Sequence, residues 1–441
     1  MTVDVCVIGA GPSGAIAALE LKRLGFRVRL LHHPDTRAHW PETVSPRLFP
    51  LFDQLGLGDV LAAAVCMRVD EKWLHWHGEN PTRLAGPDIL VVDRDRLDPA
   101  LRDCVLREGI EIVHGRARRP VMGPDGIWCV PMEQGAPTYA HFIVTATGRR
   151  GIAAPTARDG ARMVAYHGIA PEIPVPSGTM VVGSTQRIWY WGVAVPDRSL
   201  RLLVFSASER VTKRPPIVLL REALNSIVAN SARVALQFVR ATDATARSSA
   251  AAAGGNWIRT GDALITVDPL NGSGLYAAAL SSVQAARVVN TLVRRPRDAA
   301  SALAFYTDVR ASIAEHCASR ASEFYQAGMR DGPIGVPEGR QAADCGNLFL
   351  PPGFRLAPVP VLMGDYVSEF PGIKRSGNRS IAFVEGHPVA PLLAPLLEGK
   401  SLKDAASCWS QLSPGSRDRL MHLLVQERIV ISRKQVMATQ Q

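Results

Sequence analysis

Val3-Asp4-Val5-Cys6-Val7-Ile8-Gly9-Ala10-Gly11-Pro12-Ser13-Gly14 is the stretch on which the fold turns. Its first six residues are β-prone and apolar save Asp4, as expected of a parallel strand buried on both faces. Glycine follows at 9, 11 and 14, and then an apolar-periodic stretch from Ala15 to Leu24. Strand, glycine loop and helix in that order form a seat for a dinucleotide pyrophosphate. Gly9 permits the tight turn, Gly11 lets the backbone approach the phosphates, and Gly14 lets helix and strand pack closely. Pro12 and Ser13 complete the loop, and the free N–H groups and positive dipole end of the helix receive the phosphates. Gly25 then stops the helix, and Phe26 to Leu31 reads as a second strand.

One element departs from the pattern. The end of the second strand usually carries a carboxylate for the ribose hydroxyls. The register from Gly25 puts His32 there, followed by His33 and Pro34, with Asp35 past the strand end. A neutral imidazole accepts one hydrogen bond and cannot supply a carboxylate's paired acceptors. Binding on the adenosine side is therefore expected to be weaker than usual.

The rest of the composition sets bounds. A chain of 441 residues supports two or three domains, and 47% hydrophobic with 20% charged residues suits a globular enzyme. No apolar run reaches the roughly 18 to 20 residues of a membrane span. The chain opens on a strand rather than a leader-like segment, which predicts a cytoplasmic protein with no membrane partner. The 7 cysteines lack C-x-x-C spacing, so neither a zinc site nor a disulfide framework is indicated. The net charge of +10 comes without a dense basic run or a nucleic-acid motif, so no nucleic acid is expected as partner. An acidic protein or an anionic cofactor accounts for it as well.

Far downstream, Trp257-Ile258-Arg259-Thr260-Gly261-Asp262-Ala263 precedes Asp268-Pro269-Leu270-Asn271-Gly272-Ser273-Gly274 and another apolar-periodic stretch, Leu275 to Leu292. This pair resembles the GD element and the Asp-Pro-Leu-x-G-x-G loop of the FAD-dependent aromatic hydroxylase and tryptophan halogenase superfamily. Further motifs agree. Pro41-Glu42-Thr43-Val44-Ser45-Pro46, with Leu55-Gly56-Leu57, is similar to that family's G-E-x-x-x-P … L-G-L, proline replacing its glycine. Val92-Asp93-Arg94-Asp95-Arg96-Leu97-Asp98 is similar to its D-R-x-x-L/F-D, and Ala146-Thr147-Gly148 to its A-T-G. The resemblance implies FAD as cofactor. Gly261 and Asp262 would meet the ribityl chain, Pro269, Gly272 and Gly274 would lie beside the isoalloxazine, and Glu42, Arg94 and Gly148 would complete the site. It implies an α/β chain (α+β overall). A Rossmann-like FAD-binding domain (1–61, 91–151, 251–300) would carry an inserted β-sheet substrate domain (62–90 and 152–250).

Within the insertion, Lys72-Trp73-Leu74-His75-Trp76-His77 alternates as a strand, placing Trp73, His75 and His77 on one face. Trp189-Tyr190-Trp191 starts a second aromatic strand with Trp189 and Trp191 on one face. The two strands either line an aromatic pocket or pack an ordinary sheet. His75, His77 and His167 are either proton acceptors for a ring that rearomatises or structural histidines. Trp189 to Val195 is similar to the W-x-W-x-I-P signature of tryptophan halogenases, but Gly192-Val193-Ala194 breaks its second half. Halogenation also needs a lysine facing the substrate, and Lys72 is the only one in the first strand. Hydroxylation requires none.

Beyond the FAD pattern, residues 301–376 read as a helix, Ser301 to Gly328 with Ser301 as N-cap, and a Pro/Gly-rich loop, Gly332 to Pro360. Residues 377–441 read as a strand, three short helices with Ser401 capping one, and a closing strand. That order is similar to small winged-helix modules, including peptide-recognition modules on enzymes that modify ribosomally made peptides; a structural cap is the alternative. Taken with the flavin motifs, the chain resembles the bacterial flavoprotein monooxygenases of protein-derived quinone cofactor biogenesis. This implies hydroxylation of a peptidyl tryptophan, with a protein substrate such as the small subunit of quinohemoprotein amine dehydrogenase. No separate nicotinamide domain follows the GD segment, so NAD(P)H bound transiently or a separate reductase would supply electrons. The alternatives are a halogenase of tryptophan or another small aromatic, and a non-catalytic flavoprotein assembly partner of a quinoprotein.

Overall fold

The computed structural model describes residues 1–34, 40–44, 46–76, 82–86, 89–150, 156–158, 162–185, 188–207, 214–267, 272–329, 348–374, 380–426 and 429–433. It divides into two compact units, Met1–Val289 with Ile313–Gly332, and Asn290–Ser312 with Pro333–Gln441. Among the described residues no helix is long and apolar enough to cross a membrane.

The first unit is built on an eight-stranded sheet centred on Val3–Ile8. That strand runs parallel to Val28–His32 on one side and Thr138–Thr145 on the other. Being central, it buries Val5, Cys6 and Val7 completely, and each such valine contributes roughly 1.5–3 kcal/mol. Trp257–Arg259 continues the parallel set beyond Thr138–Thr145, and Glu111–His114 beyond Val28–His32. The helix Pro12–Arg23 follows the first strand, and Gly25 takes φ +84°, the left-handed stop expected after a helix.

A second sheet has seven strands, and of its six pairings five are antiparallel and one, Glu71–Trp76 with Thr179–Ser184, is parallel. Its order runs from Gln237–Asp243 at one edge through Met163–Ala170, Leu200–Ala207, Trp189–Ala194, Thr179–Ser184 and Glu71–Trp76 to Thr82–Ala85. One face is covered by the helix Pro216–Ile227, whose Leu219, Leu220, Ala223 and Leu224 are buried against Tyr166, Tyr190 and Leu202. The other face meets elements of the nucleotide half: Val69 and Val91 pack with Met180 and Val193, and Trp191 joins them.

The second unit has its own core. Trp409 is 1% exposed and its Nε1 donates to the Leu392 carbonyl at 2.6 Å, among Leu393, Leu396, Leu412 and Leu424. Ser401 caps the helix Leu402–Ser407, its hydroxyl accepting from the Asp404 N–H at 3.2 Å. Helices Val389–Leu397, Leu402–Ser407 and Pro414–Gln426 and the strand Ile431–Ser432 follow in the order read from the sequence. Two sequence readings need correction. The strand Ala357–Met363 pairs with Tyr366–Lys374 and begins within the segment read as loop, Gly332 to Pro360. Among the described residues it is an edge strand, where Pro358 and Pro360 lose no ladder bond on the open side. The long helix begins at Ala299, so Ser301 lies in its first turn rather than at the cap, and its hydroxyl donates to Glu369 at 2.6 Å.

Candidate functional site: a dinucleotide cradle beside an aromatic sheet face

The glycine loop is shaped by what its glycines exclude. Gly9 sits at φ +108°, and a Cβ there would lie 2.4 Å from the Ala146 carbonyl oxygen. A Cβ on Gly14 would lie 1.7 Å from the Gly9 oxygen, so strand, loop and helix close on themselves only without it. Gly11 differs: a Cβ there would meet nothing within 4 Å. Its side of the loop is open, and the helix that starts at Pro12 has no side-chain cap on its free N–H groups. Nearby, the buried Thr147 Oγ1 has no partner among the described residues. An open glycine face, an uncapped helix start and an unsatisfied hydroxyl fit a dinucleotide pyrophosphate.

The GD segment joins this cradle from behind. Gly261, at φ +58°, leaves room for Ser13, whose Oγ would lie 2.5 Å from a Cβ. Ser13 Oγ bonds Ser282 Oγ at 2.7 Å and donates to Thr260 Oγ1 at 3.3 Å. Thr260 Oγ1 also reaches Ser281 and Ser282 at 3.1 and 3.0 Å, and the Gly261 N–H donates to Ser281 Oγ. Ser13, expected at the phosphates, thus turns its hydroxyl inward and braces the loop against the helix Gly274–Arg294. Asp262 stands half-buried at the mouth, and Arg149 donates to it from Nε at 3.2 Å while its NH1 donates to the Asp243 carbonyl. Gly148 (φ +63°) opens the short 3-10 helix Gly148–Arg150 that carries Arg149, Gly272 takes φ +55°, and Gly274 opens the long helix. Pro269 and His77 fall outside the described residues.

Glu42 and Arg94, 52 positions apart, come together because strand Glu42–Val44 pairs with Leu90–Val92. Arg94 NH1 donates to Glu42 at 3.0 Å, while its Nε and NH2 clasp Asp98 at 2.7 and 3.0 Å. The two carboxylates outweigh burial and hold the guanidinium firmly charged. His32 ends the second strand opposite His114, the rings 5.4 Å apart edge to face. Burial first, then Arg102 and His114, push its pKa down to about 4, so a neutral ring occupies the ribose end.

The sheet register sorts the substrate-side candidates. Val182 lies opposite both Leu74 and Trp191, Leu203 opposite both Trp191 and His167, and Arg240 opposite His167. These residues form one row across six strands, on the face toward the nucleotide half. Trp189 shares that face and is stacked on Phe205, centroids 3.7 Å apart, as buried packing. Trp191 is only partly buried. Trp73 and His75 belong to the opposite face, under the helix Pro216–Ile227 with Tyr190, because Gly183 pairs with both His75 and Tyr190. The two aromatic strands therefore do not build one wall, and His75 is a core residue held neutral by burial. Lys72, opposite Met180, falls on the Trp191 face.

His167 is 6% exposed, with Nε2 against Thr242 Oγ1 at 3.0 Å and Nδ1 without a partner among the described residues. Trp40 meets its ring edge to face at 5.0 Å. Burial, then the charges of Arg240 and Arg149, push its pKa down to about 4. Arg149, Trp40, Thr147 and Arg240 escaped sequence reasoning. Thr147 and Arg149 carried a signal, the one inside the A-T-G motif and the other directly after it, whereas Trp40 and Arg240 carried none.

The chain is 26% identical over 341 residues to the tryptophan 2-halogenase of Chondromyces crocatus, covering 69% of this chain and 64% of that enzyme's length. The solved structure of the peptidyl tryptophan dihydroxylase QhpG, essential for tryptophylquinone cofactor biogenesis, superimposes with TM-score 0.71 at 26% identity. That match covers 98% of this chain and all of QhpG. The flavin-dependent halogenase CmlS shares the fold, with TM-score 0.66 at 18% identity over 76% of this chain and 66% of its own. Residues 2–321 match the FAD binding domain family, and the chain belongs to it.

Proposed function

We propose that this chain is an FAD-dependent monooxygenase that hydroxylates an aromatic ring, a tryptophan within a protein substrate, during biogenesis of a tryptophylquinone cofactor. The observation that carries the reading is the end-to-end match to QhpG, which extends through the second unit rather than stopping at the FAD-binding half. Reduced FAD, when bound, activates oxygen for transfer to an electron-rich ring. Gly9, Gly11, Gly14 and the helix start would hold its pyrophosphate, Asp262 its ribityl chain, and the Arg94–Glu42–Asp98 cluster would fix the loops around it. The chain's own part is to place and dry the ring. Trp191 and Leu203 offer an apolar shelf on the row that holds His167, and an indole seated there would come within reach of it. His167 is neutral, so Nδ1 can take the proton that leaves the ring as aromaticity returns. Electrons come from NAD(P)H bound transiently or from a separate reductase.

The test is mass spectrometry of the quinohemoprotein amine dehydrogenase small subunit after incubation with this protein, reduced FAD and oxygen. One or two added oxygens on a tryptophan are expected. An unmodified subunit alongside oxidised free tryptophan would overturn the reading.

A second reading rests on Lys72, which shares the Trp191 face, and on the halogenase relative. Under it, chloride-dependent product would form from a small aromatic and vanish in Lys72→Ala.

A further inference from the structure

The outer edge of the seven-stranded sheet carries a surface the site itself does not use. Strand Gln237–Asp243 pairs with Met163–Ala170 on one side, and among the described residues no strand pairs with its other side. Native edges are commonly blunted by charge or proline. This one presents Phe238 and Val239, 39% and 42% exposed. The register passes from His167 opposite Arg240 to Gly168 opposite Phe238, so Val239 is bulged out with no residue opposite it.

The helix Pro216–Ile227 extends the patch. Its Ile217 and Val218 are exposed and line a shallow cavity of about 390 Å³ with Arg221, Glu222 and Asn225. Arg221 donates to the carbonyls of Ser231 and Val234 at 2.6 and 2.9 Å, so helix and edge strand are joined at the turn that feeds the strand. The charge here is one-sided. Arg221 and the exposed Arg233 have no carboxylate partner among the described residues, whereas Glu222 is engaged by Thr185 and Arg214. Farther along, the same strand brings Thr242 to His167. The strand therefore has the apolar, cationic surface on its helix side and, through Arg240 and Thr242, the candidate base on its other side, and an added strand would present alternate side chains to both.

We propose that Gln237–Asp243 is a docking edge for an extended acidic segment of the polypeptide substrate, which adds as a further strand and leads its aromatic residue toward His167. This rests on the polypeptide-substrate reading above. Backbone pairing supplies register without demanding one sequence, and the arginines supply selection by charge. The protein's positive net charge gains a use.

The test uses the full chain and two synthetic peptides. One alternates Glu and Val around a single Trp; the other replaces each Glu by Lys. Amide hydrogen exchange, peptide binding at low and high salt, and mass spectrometry for added oxygen are measured together. The acidic peptide should protect the amides of residues 237–241. It should bind roughly tenfold more tightly than its basic counterpart and lose that margin at high salt. Val239→Pro should abolish that protection with FAD binding intact, since the bulged residue gives no ladder bond opposite; Phe238→Glu with Val239→Glu should weaken the acidic peptide in the same way. Equal binding of the two peptides, or protection elsewhere, would overturn the docking edge. So would edge protection that depends on protein concentration alone, the mark of a second copy of this chain. Oxygen added to the peptide without edge protection would leave the hydroxylation reading standing and sink the docking edge. Edge protection without oxygen added would do the reverse.

Discussion

His167 makes one hydrogen bond where an imidazole can make two, and burial, then two guanidinium charges, discourage its protonation. A base so placed stays available down to low pH. Its folded pKa lies below the ordinary 6.5, so the ring is neutral above about pH 4 and is lost as acceptor only below it. His167→Ala should lower kcat by ~10²- to 10⁴-fold with FAD affinity unchanged. Arg240→Gln removes one of the charges that lower the pKa. The acid limb of the kcat profile should then move to higher pH, which a merely structural arginine would not cause. His32 raises the opposite question, of acceptors too few. His32→Glu should tighten FAD about tenfold, for roughly 1.5 kcal/mol from hydrogen bonds to a charged group, read by flavin fluorescence titration. A gain confined to the riboflavin half would argue against a ribose contact at this position. His32 could be placed from sequence because a glycine stop fixes the register of a short strand. His167 could not be told from His75 by any local signal. Only pairing with distant strands, Arg240 for His167 and Gly183 for His75, decides which face a residue takes.

At the scale of elements, the glycine loop separates structure from function within six residues. Gly14→Ala puts a methyl 1.7 Å from a carbonyl oxygen, so it should cost on the order of 1–3 kcal/mol or more of stability and lose FAD as a consequence. Gly11→Ala meets no protein atom, so stability should stay within about 0.5 kcal/mol while FAD binding fails. Thermal melting without added cofactor distinguishes the two. This loop was legible because strand, turn and helix obey local rules. The hydroxyl brace of Ser13, Thr260, Ser281 and Ser282 was not. Serines and threonine in separate elements carry no periodicity, and what unites them is helix Gly274–Arg294 lying where Ser13 points. The strand at 357–363 was hidden by its prolines, which argue against strands except at an edge.

For the whole molecule, the second unit answers to its own core. Trp409→Ala should remove about 3–5 kcal/mol from the protection of residues 348–433 in hydrogen exchange, and leave FAD affinity within about twofold. Motif reading reached the FAD-binding half readily, because cofactor loops constrain residue types. It reached the arrangement of the inserted sheet only in outline, because sheet faces are set by distant pairing.

Arg149 touches both halves of that first unit, holding the Asp262 carboxylate with Nε and the Asp243 carbonyl with NH1. Asp262 belongs to the cofactor's seat, and Asp243 closes the strand that carries Thr242 and Arg240. Two ligands that pull on one guanidinium share a coupling free energy, and linkage makes it reciprocal. Whatever factor bound FAD adds to substrate affinity, bound substrate must add to FAD affinity. Titrating each in the presence and absence of the other should give equal factors, and Arg149→Ala should bring both toward one. A loosely held cofactor would then be retained best when there is a ring to oxidise.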